Sequence, residues 1–444
     1  MAMTTRAPLG RAQKWLLAAG IAAAVLVLLA IGLASLVPSD EELARRASTE
    51  LEAALGVPVS VGALHWRLRT SALVELENVA TQQSQPIVIK KLTANLNVSA
   101  LWQRRLKLNR VEVEGAMLPQ LSLRGLHAPS GERARGKPGR LQVDELPLEQ
   151  LVFRDVTWIS RHGTRVVYEG EAQFETGWRP RKAALRRPDF EPATDLSLTR
   201  QGQDDRWDTR INVGGGTANG ELQLQTRANG ELHLGGKLQP RGIEAVSALA
   251  AFNRRSIIAG KVSGEMTLSA NGAGMAELAR SLHTATPFTM GRATLLNFDM
   301  DKAIRSAGRE HGGKTPLNSV TGQLDTQNTP DGMVLDFTRV KAASGVLSAS
   351  GKARIANRQI EAELAVDLVE GLVGVPLKLS GPLAHVNVSV PPGAVAGAAV
   401  GTAVLPGAGT AIGARIGAAL GKIFKPAPSA PSGNRPPPPP APKP

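Results

Sequence analysis

Ile360-Glu361-Ala362-Glu363-Leu364-Ala365-Val366-Asp367-Leu368 alternates inward-type and outward-type residues without a fault. A period of two puts Ile360, Ala362, Leu364, Val366 and Leu368 on one side of an extended chain and the carboxylates on the other. It predicts a strand with one greasy and one wet side, as in an antiparallel sheet.

The same period runs outward from there. Downstream it continues through Val375, Leu377 and Leu379 and through Val386, Val388 and Val390. Upstream, Leu92, Ala94, Leu96 and Val98 alternate, with Val88 in phase, and so do Leu106 and Leu108, then Val111 and Val113, with Leu121 and Leu123, and Leu196 and Leu198, continuing the pattern. The parity changes at Asn109-Arg110, which predicts a β-bulge. Ala218-Asn219-Gly220-Glu221-Leu222 is echoed by Ala228-Asn229-Gly230-Glu231-Leu232. Asn-Gly supplies two positive-φ residues, so each copy predicts a hairpin turn. Helices are expected at 39–55, with Leu43, Ala47, Leu51 and Leu55 on one face, at Met275–Leu282 and at Asp299–Arg305. Residues 127–140 and 179–193, rich in Arg, Pro and Gly, read as exposed loops.

Residues 15–37, from Trp15 to Val37, carry no charge over 23 positions. At about 1.5 Å per residue a helix of that length crosses a hydrocarbon core of about 30 Å. It exceeds the apolar stretch of a cleavable signal peptide. Arg6, Arg11 and Lys14 precede it and Asp40, Glu41 and Glu42 follow, which predicts a cytoplasmic N-terminus and an exported body. The formal net charge of +14 is concentrated in residues 1–14, 101–140 and 393–444. Basic patches of this kind suit anionic lipid headgroups. No stacking aromatics accompany them, which argues against nucleic acid.

Gly393, Gly397 and Gly401, and then Gly413, Gly417 and Gly421, recur every fourth residue. Small residues at that spacing line one helix face and allow close helix pairing. Each half is too short to span a bilayer, so residues 393–425 read as a helical hairpin that contacts a membrane or caps the sheet. Residues 426–444, with five consecutive prolines, read as a disordered polyproline-type tail.

Catalytic chemistry finds little footing. The chain has no cysteine, and its seven histidines are scattered without metal-ligand spacing. Gly308 to Thr315 matches the P-loop pattern formally. It follows an expected helix instead of opening one, and Pro316 removes an amide, so no nucleotide is expected. Neither catalytic residues nor a metal or cofactor are assigned.

The anchor, the helix at 39–55, the run Leu55 to Trp66, the strands over Val88 to Val98, and Arg110-Val111-Glu112-Val113-Glu114-Gly115 resemble the AsmA-like family of envelope proteins. Gly291-Arg292-Ala293-Thr294-Leu295 through Asp299, a following short helix, and Leu377 to Leu383 resemble that family's C-terminal module. The middle of the chain matches poorly. The resemblance implies a long curved antiparallel sheet forming a taco-like groove in the periplasm, and a role in moving phospholipid or another envelope lipid. Its lipid-facing set would be Val88, Leu92, Ala94, Leu96, Val98, Val111, Val113, Ile360, Ala362, Leu364, Val366, Leu368, Leu377 and Leu379. The glycines above, with Trp15 and Val37, would contact membrane. Expected partners are lipid, the inner membrane, and outer-membrane or envelope assembly proteins. A non-catalytic scaffold for outer-membrane protein assembly is the alternative. The expected division is 1–14 cytoplasmic, 15–37 transmembrane, 38–126 N-terminal AsmA-like, 127–260 variable β, 261–392 C-terminal AsmA-like, 393–425 hairpin and 426–444 tail.

Overall fold

The computed structural model describes residues 40–68, 72–103, 105–124, 126, 142–176, 179–306, 309–329, 332–345, 347–367, 375–383 and 385–390. The predicted span, the glycine-spaced hairpin, the proline-rich tail, the loop 127–140 and Leu368 lie outside these residues.

The alternating segments form strands of one mainly β structure. In the N-terminal part these are β1 (Val59–Ser60), β2 (Ala63–Leu68), β3 (Ala72–Thr81), β4 (Val88–Leu96), β5 (Arg105–Pro119) and β6 (Gln142–Ile159). The central part adds β7 (Arg165–Glu175), β8 (Arg179–Arg186), β9 (Asp195–Arg200), β10 (Arg206–Val213), β11 (Gly216–Thr226), β12 (Leu232–Arg241) and β13 (Ile243–Glu244). The C-terminal part holds β14 (Ile258–Gly264), β15 (Met266–Gly272), β16 (His283–Leu295), β17 (Thr315–Leu317), β18 (Ser319–Thr329) and β19 (Gly332–Ser344). It ends with β20 (Leu347–Ala356), β21 (Gln359–Asp367), β22 (Val375–Pro382) and β23 (Asn387–Ser389).

All 23 belong to one sheet, and nearly every pairing joins strands that are neighbours in the chain. The ladder passes from β12 to β15 and from β16 to β18 without interruption. The boundary drawn at 260/261 falls inside β14. One pairing departs from the expected antiparallel pattern: β5 and β6 run parallel. A parallel partner requires a return crossover, which the segment between Pro119 and Gln142 provides.

The predicted bulge is present. Asn95 pairs Arg110 while Leu96 pairs Leu108, so Asn109 is the extra residue. Of the two Asn-Gly copies, only Asn229-Gly230 sits at a turn, where Gly230 has φ +81° and Arg227 N donates to Glu231 O at 2.8 Å. Asn219-Gly220 lies inside β11 instead, paired to both β10 and β12. The preceding turn is made by Gly214 and Gly215, at φ +56° and +71°. Residues 179–186 are also a strand and not a loop, because β7 and β9 pair with them on both edges. β5 runs through Gly115, at φ +64°, and on to Pro119.

Helix α1 (Asp40–Leu55) buries Leu43, Ala47 and Leu51 against β1–β5, and Gly56 ends it at φ +71°. Short helices follow: α2 (Val98–Trp102), α3 (Gln120–Arg124), α4 (Ala245–Ala250), α5 (Met275–Ser281) and α6 (Met300–Arg305). Val98 is therefore helical, and so are Leu121 and Leu123, which the alternation places in a strand. Asn97 Oδ1 accepts from Ala100 N at 3.0 Å and so caps α2, ending the alternation one residue earlier than expected.

Candidate functional site: one apolar face across the sheet

Residues paired across a ladder share a face, so the register traces which side chains line each surface. One line runs Leu64–Leu76–Leu92–Val113–Phe153–Gly170–Leu185–Leu196–Ile211–Ala218–Pro240. On the same side of β10, Trp207 starts a second line: Leu222–Gly236–Leu268–Thr284–Thr326–Leu335–Ile355–Ile360. The two lines make one largely apolar face from β2 to β21. Thr286 Oγ1, buried on this face, has no hydrogen-bond partner among the described residues, but other polar exceptions are satisfied locally. Thr284 and Thr326 share a hydrogen bond of 2.7 Å, and Arg200, only 7% exposed, lies between Glu175 and Asp205.

The opposite face is charged and wet. Glu363 lies between Lys352 (3.3 Å) and Lys378 (3.6 Å) on adjoining strands, and Arg354 pairs with Asp336 at 3.1 Å. Lys352, and behind it Lys378, holds the Glu363 carboxyl below its usual range. Lys91 does the same for Glu75 through a hydrogen bond, and its own ammonium is raised in return. These are cross-strand pairs on a solvated surface and have no catalytic geometry. Two concavities, of about 30 and about 630 Å³, also open mainly on this charged side, lined by residues such as Lys91, Glu112 and Arg154, and Gln323, Arg339 and Lys341.

The apolar face is not covered evenly. Near the N-terminus α1 closes over it, and Ala94, Leu96 and Val111 are buried there, with Leu92 and Val113 packed at the margin. Val88 is half-buried. Toward the C-terminus Phe298, Met300 and Ala303 cover a second cluster containing Val366 and Leu377, with Leu364 and Leu379 packed against it. Ile360 and Ala362 are buried as well. Most of the predicted lipid-facing residues are thus protein-packed. Between the two clusters, Leu185, Leu196, Leu198, Ile211, Leu222 and Leu234 are only half-buried. Alternation marks Leu196 and Leu198 in the sequence, but none of the six belongs to the expected lipid-facing set, since their strands are short and interrupted by Gly and Arg.

Thr315, the last residue of the P-loop-like run, is buried; it donates to Phe298 O at 2.9 Å and accepts from Met300 N at 3.0 Å. It fastens α6. Among the described residues no His/Cys/Asp/Glu group could hold a metal ion, and no helix is long and apolar enough to cross a membrane.

Arg161 Nη2, in the turn after β6, donates to Asn357 Oδ1 at 2.6 Å in the turn after β20. Eleven lateral steps separate these strands. In a flat sheet, at about 4.8 Å per step, they would stand roughly 50 Å apart. No protein-family model matches the chain. No curated protein and no solved structure matches it either.

Proposed function

We propose that this chain is an inner-membrane-anchored, periplasmic protein of the AsmA-like type that binds phospholipid along its apolar face and moves it in outer-membrane biogenesis. The carrying observation is the central stretch of that face, where Leu185, Leu196, Leu198, Leu222 and Leu234 stay half-buried beside the buried Trp207, Ala218 and Leu238, while both ends are sealed. Acyl chains would complete the burial that polypeptide completes elsewhere. The approach of Arg161 to Asn357 supports a sheet rolled into a groove. The scarcity of rings, with one Tyr, eight Phe and six Trp in 444 residues, suits a fluid occupant better than a shaped one. The function needs no catalytic group.

A second reading, a scaffold for envelope protein assembly, is favoured by the sealed ends, where the same alternating residues are ordinary core. Photo-crosslinking of the full chain in cells separates the two. A benzophenone side chain at Leu198 or Leu222 should yield phospholipid adducts, and one at Thr199 or Gln223, on the other face, should not. Adducts to protein alone at the inner positions would defeat lipid carriage and leave the scaffold.

A further inference from the structure

Six of the seven large apolar side chains that stand exposed among the described residues are placed around a single pole of the molecule. Val246, Leu249, Phe252 and Ile257 belong to α4 and the loop behind it. That loop is tied to the start of β7, where Asn253 Nδ2 bonds Arg165 O. Leu121 follows Gln120, whose Oε1 accepts from Arg161 N at 3.1 Å. Met333, 53% exposed, follows Gly332, whose backbone lies against the Arg161 guanidinium.

The same pole is basic. Arg161, Arg165, Arg254, Arg255 and Arg358 form no ion pair among the described residues. Arg187 also reaches this pole, bonding Ala251 O, but its loop carries Asp189 and Glu191 as well, so it adds nothing to the surplus. His162 stands beside Arg161 (3.1 Å) and is disfavoured as a cation by desolvation and by Arg358, Arg161 and Arg254. Arg358 is held at φ +62° beside Asn357 at φ +51°, a two-residue turn in which glycine would fit without strain. An arginine is kept where backbone geometry disfavours it.

Greasy side chains standing among unpaired arginines match an anionic bilayer surface, which supplies hydrocarbon beneath a layer of phosphates. We infer that this pole docks on an anionic lipid surface, as a membrane contact separate from the predicted span. It goes beyond lipid carriage, since a scaffold would use the same contact.

The absence of cysteine permits single-site labelling. The full chain, held in phosphatidylcholine nanodiscs with an environment-sensitive fluorophore at Phe252→Cys, is mixed with vesicles rich in brominated phosphatidylglycerol. Quenching is expected at position 252, weakened by salt, and not at a Lys352→Cys control on the charged face. Each arginine neutralised should weaken vesicle binding about fivefold. Arg254→Gln with Arg255→Gln is one variant; Arg358→Gly is a second, which should also raise the melting temperature by relaxing its turn. Equal quenching at both positions, quenching unchanged in these variants, or concentration-dependent burial of the probe without vesicles would each overturn the inference. The last would assign the pole to a second copy of the chain. Lipid adducts at Leu222 persisting in the arginine variants would leave lipid carriage intact.

Discussion

The β2–β5 end and the β8–β12 centre share one sequence logic and differ in what lies over them. At the first, α1 lays Leu43, Ala47 and Leu51 across the apolar face, and Leu96 falls to 2% exposure. In the centre the nearby helix, α4, sits at the strand ends instead: Ala248 packs against the Gly214-Gly215 turn, and Leu222 remains half-buried. Alternation therefore specifies that a face is apolar, but a separate element decides whether it is closed.

The comparison breaks first at charge insertion. Leu96→Asp buries an unpaired carboxylate under α1 and should cost about 4 kcal/mol or more. Leu222→Asp should cost about 1 kcal/mol, because the carboxylate can stay hydrated. Denaturant melts of the two variants measure the gap, and equal losses would mean that the centre is as closed as the end. A smaller effect tests the backbone of the centre. A Cβ at Gly220 would stand 1.9 Å from Lys237 O, so Gly220→Ala must push β11 and β12 apart, costing about 2 kcal/mol. Gly230→Ala, at an open turn with positive φ, should cost about 1 kcal/mol.

The smallest effect concerns what keeps α4 at the rim. Glu244 accepts from Ser247 N at 2.7 Å and from Gly260 N at 3.1 Å. Burial pushes its carboxyl up, but the amides of Ser247, Gly260 and Val246 outweigh it, and the net pKa lies below 4.5. The folded state then binds that proton less readily than the unfolded chain, so the contribution is present above pH 4.5 and lost as pH falls through the lowered value. Melting temperatures taken from pH 6 to 3 should show Glu244→Gln about 1 kcal/mol weaker at the upper end, with the difference closing in acid.

Much of the fold could be read from residues, for reasons tied to local chemistry. The parity change at Asn109, the face of α1 and the helices at 275 and 299 depend on neighbours in sequence. Asn219-Gly220 could not be told from Asn229-Gly230 by its own residues; the difference lies in Gly214-Gly215, which turns the chain five residues earlier and leaves Gly220 to face Thr209 and Leu238. Val98 was recoverable, since Asn97 is a strong helix cap. The apolar face was legible in kind at its ends and only in the fragment Leu196 and Leu198 at its centre, where glycines such as Gly170, Gly220 and Gly236 stand at the inward positions. The basic pole was not legible, because it gathers residues from 161 to 358.

Arg161 and Asn357 stand 196 residues apart, whereas nearly all strand pairings join consecutive segments. Rows of hairpins can form as successive segments of the chain emerge, each closing a short loop. The contact between these two turns has to wait until the chain is nearly complete. A clasp closing so long a loop is expected to form late, so Arg161→Gln should hasten unfolding more than it slows refolding, which stopped-flow measurements check.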